Sequence, residues 1–578
     1  MIIPKKMFFT QDVPSRKSST ITSLLQFGTL LLVLFSAETI IAQPKIQWAS
    51  KVLGFSSERV DANNPGPQYR AIQVLGKPNT YTFQHTSAAW STEKADNYKN
   101  EFIKVAFATP AITSNIIIVE NLNPGAITQV FAYDSTDTEY LIHENNNHTI
   151  EAKGRFWNIS ITKTNYRVHA VKIILNPNLV NGFNQIDAIG ISGENTKLDN
   201  TLNLPDALPK KTIRENLGKS INSDTREVAP IISNDGKRIF FTREVHKKNI
   251  GKYKLQDIWM AESINENKWS EAKNIGSPIN TDEHNALTSV SLDGKTIYLL
   301  NVYLPNNTFK PGLSKSTFQD GKWSFPKEVK LKDYYTTSSY TEFSISSNEQ
   351  VLIIAAQRKD TFGQKDLYVS FLENDSTWSK PINLGNTINT AENESTPFLA
   401  ADTKTLYFST SGLPGYGDND IFMTHRLDST WTNWSEPLNL GNAINTPKWD
   451  GYFTVSATGD YAYTSSEENS IGAEDIFRIK LFPSIQPEPV AILSGVIKSE
   501  IDDKPIKASI FVESLDKNTS FSIESDDDTG EFKLIIPVQH SYQLTISNKN
   551  FKPLKAVTDL SNFNSFTVIK KEFILTRQ

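Results

Sequence analysis

The sequence contains no cysteine among its 578 residues. Disulfide bonds, thiolate nucleophiles, zinc sites with cysteine ligands and lipid anchors on cysteine are therefore all excluded. Whatever compartment the chain occupies, its fold must be stabilised by packing alone.

Dense positive charge is lacking as well. Fifty-nine Lys and Arg residues oppose 64 Asp and Glu residues, giving a net charge of −5, and beyond the amino terminus no basic run exceeds a triplet. Because nucleic-acid-binding surfaces carry a basic patch or stripe, this distribution argues against nucleic acid as a partner.

Long apolar runs are absent except near the amino terminus. There, four basic residues precede the run LLLVLF, which is followed by ETIIAQ. This layout is typical of a secretory signal, and we expect residues 1–42 to be a signal peptide cleaved after Ala42. An uncleaved membrane anchor is the alternative, although the run is shorter than the ~20 residues that a spanning helix needs. The mature chain is then expected to have no transmembrane span.

The residues that are abundant favour strands and turns. The chain has 32 Phe, 19 Tyr and 10 Trp but only 4 Met, together with many Asn, Thr and Ser. At roughly 150 residues per domain, the length predicts about three to four domains.

One polar phrase recurs along the chain, as NIGSPINTDEHN, NLGNTINTAENE and NLGNAINTPKWD. Each copy leads into two apolar strands joined by a tight turn, then an acidic-apolar-aromatic triplet and a tryptophan. Five such units follow one another. Four of their tryptophans fall 54, 55 and 56 residues apart, namely Trp269, Trp323, Trp378 and Trp434.

Each unit contains four short β-prone runs, which predicts the four-stranded antiparallel blade of a β-propeller. We expect five blades, with six as the alternative. The fifth unit lacks its outer strand, and residues 212–222, TIRENLGKSIN, match the missing phrase. This segment is therefore predicted to complete the last blade, since an open ring would leave a bare strand edge.

In this arrangement the recurring residues are expected to have structural roles. Leu384 and Leu440 are expected to pack between blades, while Gly385 and Gly441 permit the bend. Four aspartates recur at one point of the repeat and are expected to bond turn backbone rather than form a carboxylate cluster: Asp257, Asp366, Asp420 and Asp475.

Residues 212–481 resemble TolB-type, WD-repeat-like propellers of the bacterial cell envelope, on the segments SNDGKRIFFT…QDIW, SLDGKTIYLL and ADTKTLYFSTSGLPGYGDNDIF. The third unit departs from the pattern, with Asn348-Glu349 in place of Asp-Gly. The resemblance implies a periplasmic or outer-membrane-associated protein. Relatives often add an outer-membrane-protein-A-like, peptidoglycan-binding domain, which is not expected here because the chain ends in FILTRQ.

The flanking regions resemble two other families. QWASKVLGFSSE, AIQVLGKPN and IDAIGISG, within residues 45–195, look like a discoidin-like, galactose-binding-type jelly roll. LSGVIKSEIDDKPIKASIFVES and GEFKL, within residues 491–578, look like the transthyretin-like carboxypeptidase regulatory-like domain. Residues 196–211 and 482–490 are predicted linkers. The expected fold is all-β, with a jelly-roll sandwich, a five-bladed propeller and a small transthyretin-like sandwich.

No motif in the sequence indicates catalysis or a cofactor. The close histidines His143 and His148 are read as a solvated loop rather than a metal site, and Asp526 to Asp528 as a hairpin turn rather than a calcium loop. We therefore expect no enzyme, no catalytic residues, no metal and no cofactor.

Two functions remain. The first is a non-catalytic, exported scaffold of the Gram-negative envelope that docks partner proteins on the propeller rim, with outer-membrane or peptidoglycan-associated proteins as partners. The alternative is a cell-surface or secreted protein that binds a glycan through the jelly roll. Trp48, Trp90 and Trp157 are then the candidates for stacking on sugar rings, or else they fill the sandwich core.

Overall fold

The computed structural model describes residues 46–60, 66–79, 85–144, 150, 152–194, 202–209, 214–374, 377–517 and 519–578. The predicted signal peptide (residues 1–42), His148 and half of the linker predicted at 196–211 lie outside these residues. The described chain is almost entirely strands and turns, which confirms the all-β prediction.

The N-terminal sandwich, within residues 46–194, is built from nine strands that curl into two packed layers. Strand β1 joins the layers because it pairs with β3 on one side and with β9 on the other. The order is β6-β5-β8-β3-β1-β9-β4-β7, with β2 beside β9. Two 3-10 helices, Ala71–Val74 and Pro177–Leu179, lie in its loops. The strands are β1 Gln47–Phe55, β2 Trp90–Ser91, β3 Glu101–Ile112, β4 Asn115–Leu122, β5 Ile127–Tyr133, β6 Glu139–Glu144, β7 Arg155–Ser160, β8 Arg167–Leu175 and β9 Gln185–Ser192.

Five separate sheets follow, one for each repeat unit. Blade 1 contains β11 Arg226–Ile232, β12 Arg238–Glu244, β13 Asp257–Asn265, β14 Lys268–Trp269 and β15 Lys273–Asn274. Blade 2 contains β16 Leu287–Val290, β17 Thr296–Tyr303, β18 Phe309–Gln319, β19 Lys322–Trp323 and β20 Lys327–Glu328. Blade 3 contains β21 Lys330–Leu331, β22 Glu342–Ile345, β23 Val351–Ala356, β24 Asp366–Asn374, β25 Thr377–Trp378 and β26 Ile382–Asn383. Blade 4 contains β27 Glu394–Leu399, β28 Thr405–Thr410, β29 Asp420–His425 and β30 Leu438–Asn439.

Blade 5 combines the two ends of the repeat region. Its strands β31 Thr454–Val455, β32 Tyr461–Ser466 and β33 Asp475–Lys480 are completed by β10, Arg214–Asn216. Strand β10 pairs antiparallel with β33, Arg214 lying opposite Ile479 and Asn216 opposite Phe477. The propeller therefore has five blades, and the strand that precedes the first unit completes the last one, as the sequence predicts.

Apolar side chains fill each of the five interfaces between neighbouring blades. Blades 5 and 1, which are far apart in sequence, share a cluster in which Tyr463 and Ile476 pack with Phe241 and Trp259. The other four interfaces are filled in the same way. Leu384 and Leu440 are fully buried in two of these clusters, which confirms their predicted position. Because no blade buries both faces unaided, these interfaces are the core of the ring.

The repeated polar phrase forms a buried hydrogen-bond network at the connection between blades 4 and 5. Asp420 Oδ2 accepts from the Tyr416 amide and from Asn439 Nδ2, both at 2.6 Å. Asn445 accepts from the Ile421 amide at 2.8 Å, and its amide group donates to the Ile421 carbonyl and to Asn439 Oδ1. Every polar atom of the Asn445 side chain is thus satisfied.

The same network recurs at three other connections, where the recurrent aspartate again bonds turn backbone and an asparagine. Its members are Asp257, Asn274 and Asn280; Asp366, Asn383 and Asn389; and Asp475, Asn216 and Asn222. The expectation that these aspartates are architectural is therefore confirmed.

The degraded third unit keeps the hairpin turn without its glycine. Gly236 and Gly294 adopt φ of 69° and 73° in the turns of blades 1 and 2, and Glu349 adopts φ of 55° in blade 3. In this left-handed conformation, which glycine adopts more readily, the Glu349 side chain accepts a hydrogen bond from the Tyr298 hydroxyl at 2.6 Å.

The C-terminal sandwich, residues 490–578, packs a three-stranded sheet, β37-β34-β40, on a four-stranded sheet, β36-β35-β38-β39. Its strands are β34 Val490–Ser499, β35 Ser509–Ser514, β36 Ser520–Glu524, β37 Glu531–Pro537, β38 Ser541–Asn548, β39 Phe551–Asp559 and β40 Thr567–Leu575, after a 3-10 helix at Pro483–Ile485. It covers the end of the ring formed by the hairpin turns. Leu292 and Ala457 pack there against Ile492 and Ile535, and Asp526 forms an ion pair with Lys295 at 3.1 Å.

Replacement of Asn445 by Ala should destabilise the ring. The substitution removes the partner of the buried Ile421 amide, and it removes one of the two hydrogen bonds accepted by the Ile421 carbonyl and by Asn439 Oδ1. We expect a cost of about 3 kcal/mol in the free energy of unfolding. Urea unfolding followed by tryptophan fluorescence measures this loss. Asn442→Ala, on the exposed side of the same phrase, is the matched control. Equal stability of the two variants would contradict a structural role for the network.

Candidate functional site

The three tryptophans predicted to stack on sugars lie in different environments. Trp90 is 1% exposed, and its indole N–H donates to the Ser57 carbonyl at 3.1 Å. The prediction is therefore wrong for Trp90, because its ring fills the core of the N-terminal sandwich and has no free face. Trp48 is half-buried and lies against Gly190 of the neighbouring strand, where any Cβ would come within 2.9 Å of the ring.

Trp157 is half-buried on the edge strand β7. The Arg155 guanidinium lies 4.2 Å from its ring centroid, and the His143 ring meets it edge-on at 5.1 Å. Trp48 and Trp157 are not brought together with each other or with Trp90 in one site, and their sugar-stacking role stays a prediction.

A different set of side chains converges in the loops of the N-terminal sandwich. The Arg59 guanidinium lies 4.3 Å from the centroid of the Tyr69 ring and 4.6 Å from that of Phe183. Its Nη1 atom is 2.9 Å from His85 Nε2, and the Tyr69 and His85 rings are 5.4 Å apart. We refer to Arg59, Tyr69, His85 and Phe183 as the Arg59 cluster.

Backbone hydrogen bonds fix the loops that carry this cluster. The Arg59 amide donates to the Ser91 carbonyl at 2.9 Å, and the Tyr69 amide donates to the Ser87 carbonyl at 2.8 Å. Tyr69 itself has φ of 61°, a left-handed conformation that is uncommon for a bulky residue. Such outliers concentrate where function constrains the chain.

The protonation state of His85 leaves Arg59 as the hydrogen-bond donor of the cluster. Burial, followed by the neighbouring Arg59 cation, lowers the pKa of His85, and the Glu392 carboxylate opposes this shift. His85 is therefore neutral at neutral pH and accepts from Arg59. Among the described residues, Nε and Nη2 of Arg59 have no hydrogen-bond partner, so they remain available to acceptors on a ligand.

The Arg59 cluster borders the propeller. Thr86 and Ser87, next to His85 in the chain, donate their hydroxyls to Glu392 Oε1 at 3.2 and 2.7 Å. Glu392 belongs to the loop that precedes blade 4. The N-terminal sandwich is thus attached at the end of the ring opposite the hairpin turns, beside its own loop cluster.

Charged side chains from three blades meet at this same end of the ring. Arg226 Nε lies 2.7 Å from Glu474 and its Nη1 lies 3.4 Å from Glu244, while Lys365 Nζ lies 2.8 Å from Glu342. The pKa of Tyr452 is raised to about 12, mainly by burial and then by Glu342 and Glu474. Blades 3 and 5 are not neighbours in the ring, yet Glu342 of blade 3 contributes to the raised pKa of Tyr452 in blade 5. We refer to Arg226, Glu244, Glu342, Lys365, Tyr452 and Glu474 as the axial cluster.

Two carboxyl groups beside this end are buried, and burial raises the pKa of each. Burial raises the pKa of Asp366 to about 7, although the Phe362 amide and Asn383 lower it. Burial also raises the pKa of Glu394, and the nearby Asp366 raises it further. Glu394 accepts from Thr390 and Thr410 and is fully buried, so both carboxyl groups belong to the frame of the ring rather than to an accessible site.

The described residues contain no group of three or more His, Asp or Glu side chains that could hold a metal ion. In the same part of the chain, no helix has the length and apolar composition needed to cross a bilayer.

No family model matches this sequence, and no curated protein matches it. Solved structures with similar folds include the family 32 carbohydrate-binding module of Streptococcus pneumoniae EndoD, with 11% identity, 26% of this chain and 97% of that chain covered, and a TM-score of 0.19. They also include an α-L-arabinofuranosidase from Lactobacillus brevis, with 14% identity, 46% and 97% covered, and a TM-score of 0.29. A third is the GH43_1 enzyme from Xanthomonas citri complexed with xylose, with 9% identity, 48% and 93% covered, and a TM-score of 0.31. At these values the likeness concerns the fold alone.

Two expectations are corrected by these neighbours. The resemblance to TolB-type envelope proteins is contradicted, because the similar structures are carbohydrate-binding modules and glycoside hydrolases. The repeat phrases that carried the resemblance are propeller architecture, which unrelated propellers share. The expectation that the chain is not an enzyme is contradicted as well, since glycoside hydrolases are among the similar structures.

The loop cluster escaped sequence analysis because its four residues come from separate segments. Tyr69 and Phe183 follow the turn phrases NPGPQ and NG, and aromatic residues beside turns are the only signal that the sequence offers.

Replacement of Asp366 by Asn should change the pH dependence of stability. The folded-state pKa of about 7 exceeds the ordinary value of 3.8, so the folded state holds one proton more than the unfolded state between these values. The free energy of unfolding therefore falls as pH rises from about 4 to 7. Because Asn does not titrate, the Asp366→Asn variant should not show this decrease. Its free energy of unfolding should therefore rise by about 2 kcal/mol relative to that of the unsubstituted chain between pH 5 and pH 7.5.

Urea unfolding at the two pH values measures the difference. Glu373→Gln, at the exposed end of the same strand, controls for the change in net charge. A constant separation between the Asp366→Asn and unsubstituted chains at both pH values would contradict a protonated Asp366.

Proposed function

We propose that this chain binds carbohydrate through the Arg59 cluster of the N-terminal sandwich. One observation carries the proposal: a guanidinium group held against two aromatic rings, with two nitrogen atoms that have no partner among the described residues. Sugars offer hydroxyl oxygens to such donors and apolar C–H faces to aromatic rings, and sites of this kind combine apolar walls with a few fixed polar groups.

Rigid positioning supports the same proposal. Arg59 stacks on the rings, so its side chain is already ordered and loses little conformational entropy when a ligand binds. The hydrogen bonds of Thr86 and Ser87 to Glu392 hold the loop beside His85 against blade 4. A preorganised loop cluster of this kind needs little rearrangement to bind a ligand.

We also propose that the chain is exported, because a basic segment and a short apolar run precede ETIIAQ. Its glycan ligand is then outside the cytoplasm. Cell fractionation, with mass spectrometry of the mature amino terminus, tests this part of the proposal.

Binding should depend on Arg59. We expect Arg59→Ala and Tyr69→Ala each to weaken glycan binding by about tenfold or more, because each removes part of the donor and ring surface. A glycan array probed with the full mature chain identifies the ligand, and calorimetry with that glycan measures the loss.

Two control variants sharpen this experiment. Arg167→Ala removes a second arginine of the same sandwich and should leave binding unchanged. Among the described residues, the Arg167 side chain bonds only the Pro110 carbonyl. Trp157→Ala tests the tryptophan hypothesis. Loss of binding in Trp157→Ala, with full binding by Arg59→Ala, would contradict the Arg59 cluster as the site.

Glycoside hydrolysis at the axial cluster is a second candidate function. The observation that favours it is the approach of Glu342 and Glu474 from opposite sides of the axis to one tyrosine. Glycosidases use two carboxyl groups, one on each side of the scissile bond.

If this second function holds, the chain should release nitrophenol from an aryl glycoside. Glu342→Gln should then lower the turnover at least about 100-fold, because an amide cannot act as acid, base or nucleophile. Glu467→Gln, which removes an exposed surface carboxylate, is the control. Unchanged turnover in Glu342→Gln, or no turnover of a panel of aryl glycosides by the unsubstituted chain, would remove this candidate.

A further inference from the structure

A cavity of about 410 Å³ opens at the seam where blade 5 meets blade 1. It is lined by residues of the β10–β11 connection, of blade 1 and by Ile471 of blade 5. Its volume falls within the range of about 300–1,000 Å³ typical of small-molecule sites. It is separate from both the Arg59 cluster and the axial cluster, and we refer to it as the seam cavity.

A buried histidine presents a free donor to the seam cavity. His246 is 8% exposed, and its Nδ1 accepts from the Lys248 amide at 3.2 Å. The proton of the neutral ring is therefore on Nε2. Among the described residues Nε2 has no hydrogen-bond partner, although His246 lines the cavity. Because Nε2 is not fully enclosed by protein atoms, a ligand in the cavity can accept a hydrogen bond from it.

A buried arginine adds a second donor. Arg243 is 5% exposed and lies with its guanidinium 4.1 Å from the Trp259 ring centroid. Its Nε donates to Glu227 at 2.7 Å and its Nη2 to the Ile221 carbonyl at 2.5 Å. Nη1 has no partner among the described residues. Two sides of the guanidinium are therefore fixed by the protein and the third is left for a ligand.

Charged groups of both signs surround the seam cavity. Lys219 and Lys248 are exposed lining residues, and neither forms an ion pair with another described residue. The facing carboxylates are Asp224, which is exposed, and Glu271, which accepts from the Ser220 hydroxyl at 3.2 Å. With Glu227, which pairs with Arg243, three permanent cations stand against three carboxylates. The case for an oxyanion therefore depends on the two inward donors, Nη1 of Arg243 and Nε2 of His246.

The repeat provides two comparisons for Arg243, which lies opposite Glu227 across strands β11 and β12. In blade 4, Thr410 lies opposite Glu394, and the hydroxyls of Thr410 and Thr390 donate to the carboxyl group. In blade 5 an arginine makes the contacts that Arg243 makes in blade 1: Arg214 bonds the Ile444 carbonyl and lies 3.8 Å from Asp450, and its Nη1 donates to Ser466 Oγ at 3.1 Å. The seam differs from both because Nη1 of Arg243 has no partner among the described residues and lies at a cavity.

We propose that the seam cavity binds a small organic oxyanion: a carboxylate or phosphate group on a molecule about the size of one sugar. Nη1 of Arg243 and Nε2 of His246 donate to the oxyanion, and Lys248 and Lys219 provide charge at the mouth. Arginine suits this role because its planar group pairs with carboxylate and phosphate oxygens.

Calorimetric titration of the full mature chain tests the proposal. The probes are glucuronate, glucose 6-phosphate, inorganic phosphate and methyl glucoside. We expect one of the charged sugars to bind and the neutral methyl glucoside not to bind. Preference for glucuronate identifies a carboxylate ligand, and preference for glucose 6-phosphate or inorganic phosphate identifies a phosphate ligand.

The variants locate the binding site. His246→Phe keeps a ring but removes the donor, and Lys248→Ala removes exposed charge without touching the core. Each should weaken binding about tenfold, the amount expected for one charge-assisted or buried hydrogen bond. Lys247→Ala, an exposed neighbour that does not line the cavity, is the matched control and should bind normally.

Several results would overturn the proposal. One is the absence of measurable binding of any charged probe at millimolar concentration, and another is equal affinity for methyl glucoside and the charged sugars. A third is unchanged affinity in Lys248→Ala and in a folded His246→Phe, with thermal unfolding used to establish that the variant is folded. An Arg59→Ala variant that keeps oxyanion binding separates this site from the proposed glycan site.

Discussion

Closure of the ring by strand β10 is the constraint on which the rest of the structure depends. A blade buries one face on each neighbour, so a five-membered ring with one missing strand would expose both an apolar face and a row of backbone groups. Arg214–Asn216 prevents this by pairing with β33, and Asn216 simultaneously bonds Asp475 at 2.6 Å. The same asparagine–aspartate contact ties the outer strand to its neighbour within blades 1, 3 and 4. The closing strand therefore uses the ordinary connection of the repeat, although its two partners are separated by most of the propeller sequence.

A closed ring gives the two ends of the propeller different roles. The hairpin turns form one end, and the C-terminal sandwich covers it through Leu292, Ala457 and the Lys295–Asp526 ion pair. The opposite end carries the starts of the inner strands, where Glu342 and Glu474 approach the axis. The N-terminal sandwich is attached at this second end, through Glu392. The proposed glycan site and the axial carboxylates thus share one end of the ring, an arrangement in which a bound polysaccharide would lie near the axis.

The parts of the fold that the sequence predicts are those carried by repetition. The spacing of Trp269, Trp323, Trp378 and Trp434, and the recurrence of the phrase that contains Asn445, fix the blade count and the closing strand because each repeated residue does the same physical work in every blade. The Arg59 cluster could not be found in this way. Its members come from four loops whose meeting depends on the curl of the sandwich, and no local periodicity reports such a meeting. For Trp90 the sequence predicts a site that does not exist. Its residue type suggests a surface for stacking on sugars, whereas the geometry of the strands buries its ring.

Departures from the repeat are where binding chemistry is expected. In blade 4 the buried carboxyl group of Glu394 is satisfied by two threonines, and burial raises its pKa. In blade 1 the corresponding Glu227 forms an ion pair with Arg243 at 2.7 Å, and in blade 5 Arg214 lies 3.8 Å from Asp450. Nη1 of Arg214 donates to Ser466, whereas Nη1 of Arg243 and Nε2 of His246 have no partner among the described residues. The seam therefore differs from these two blades because it presents two donors to a cavity, and the proposed oxyanion would complete the hydrogen bonds of both donors.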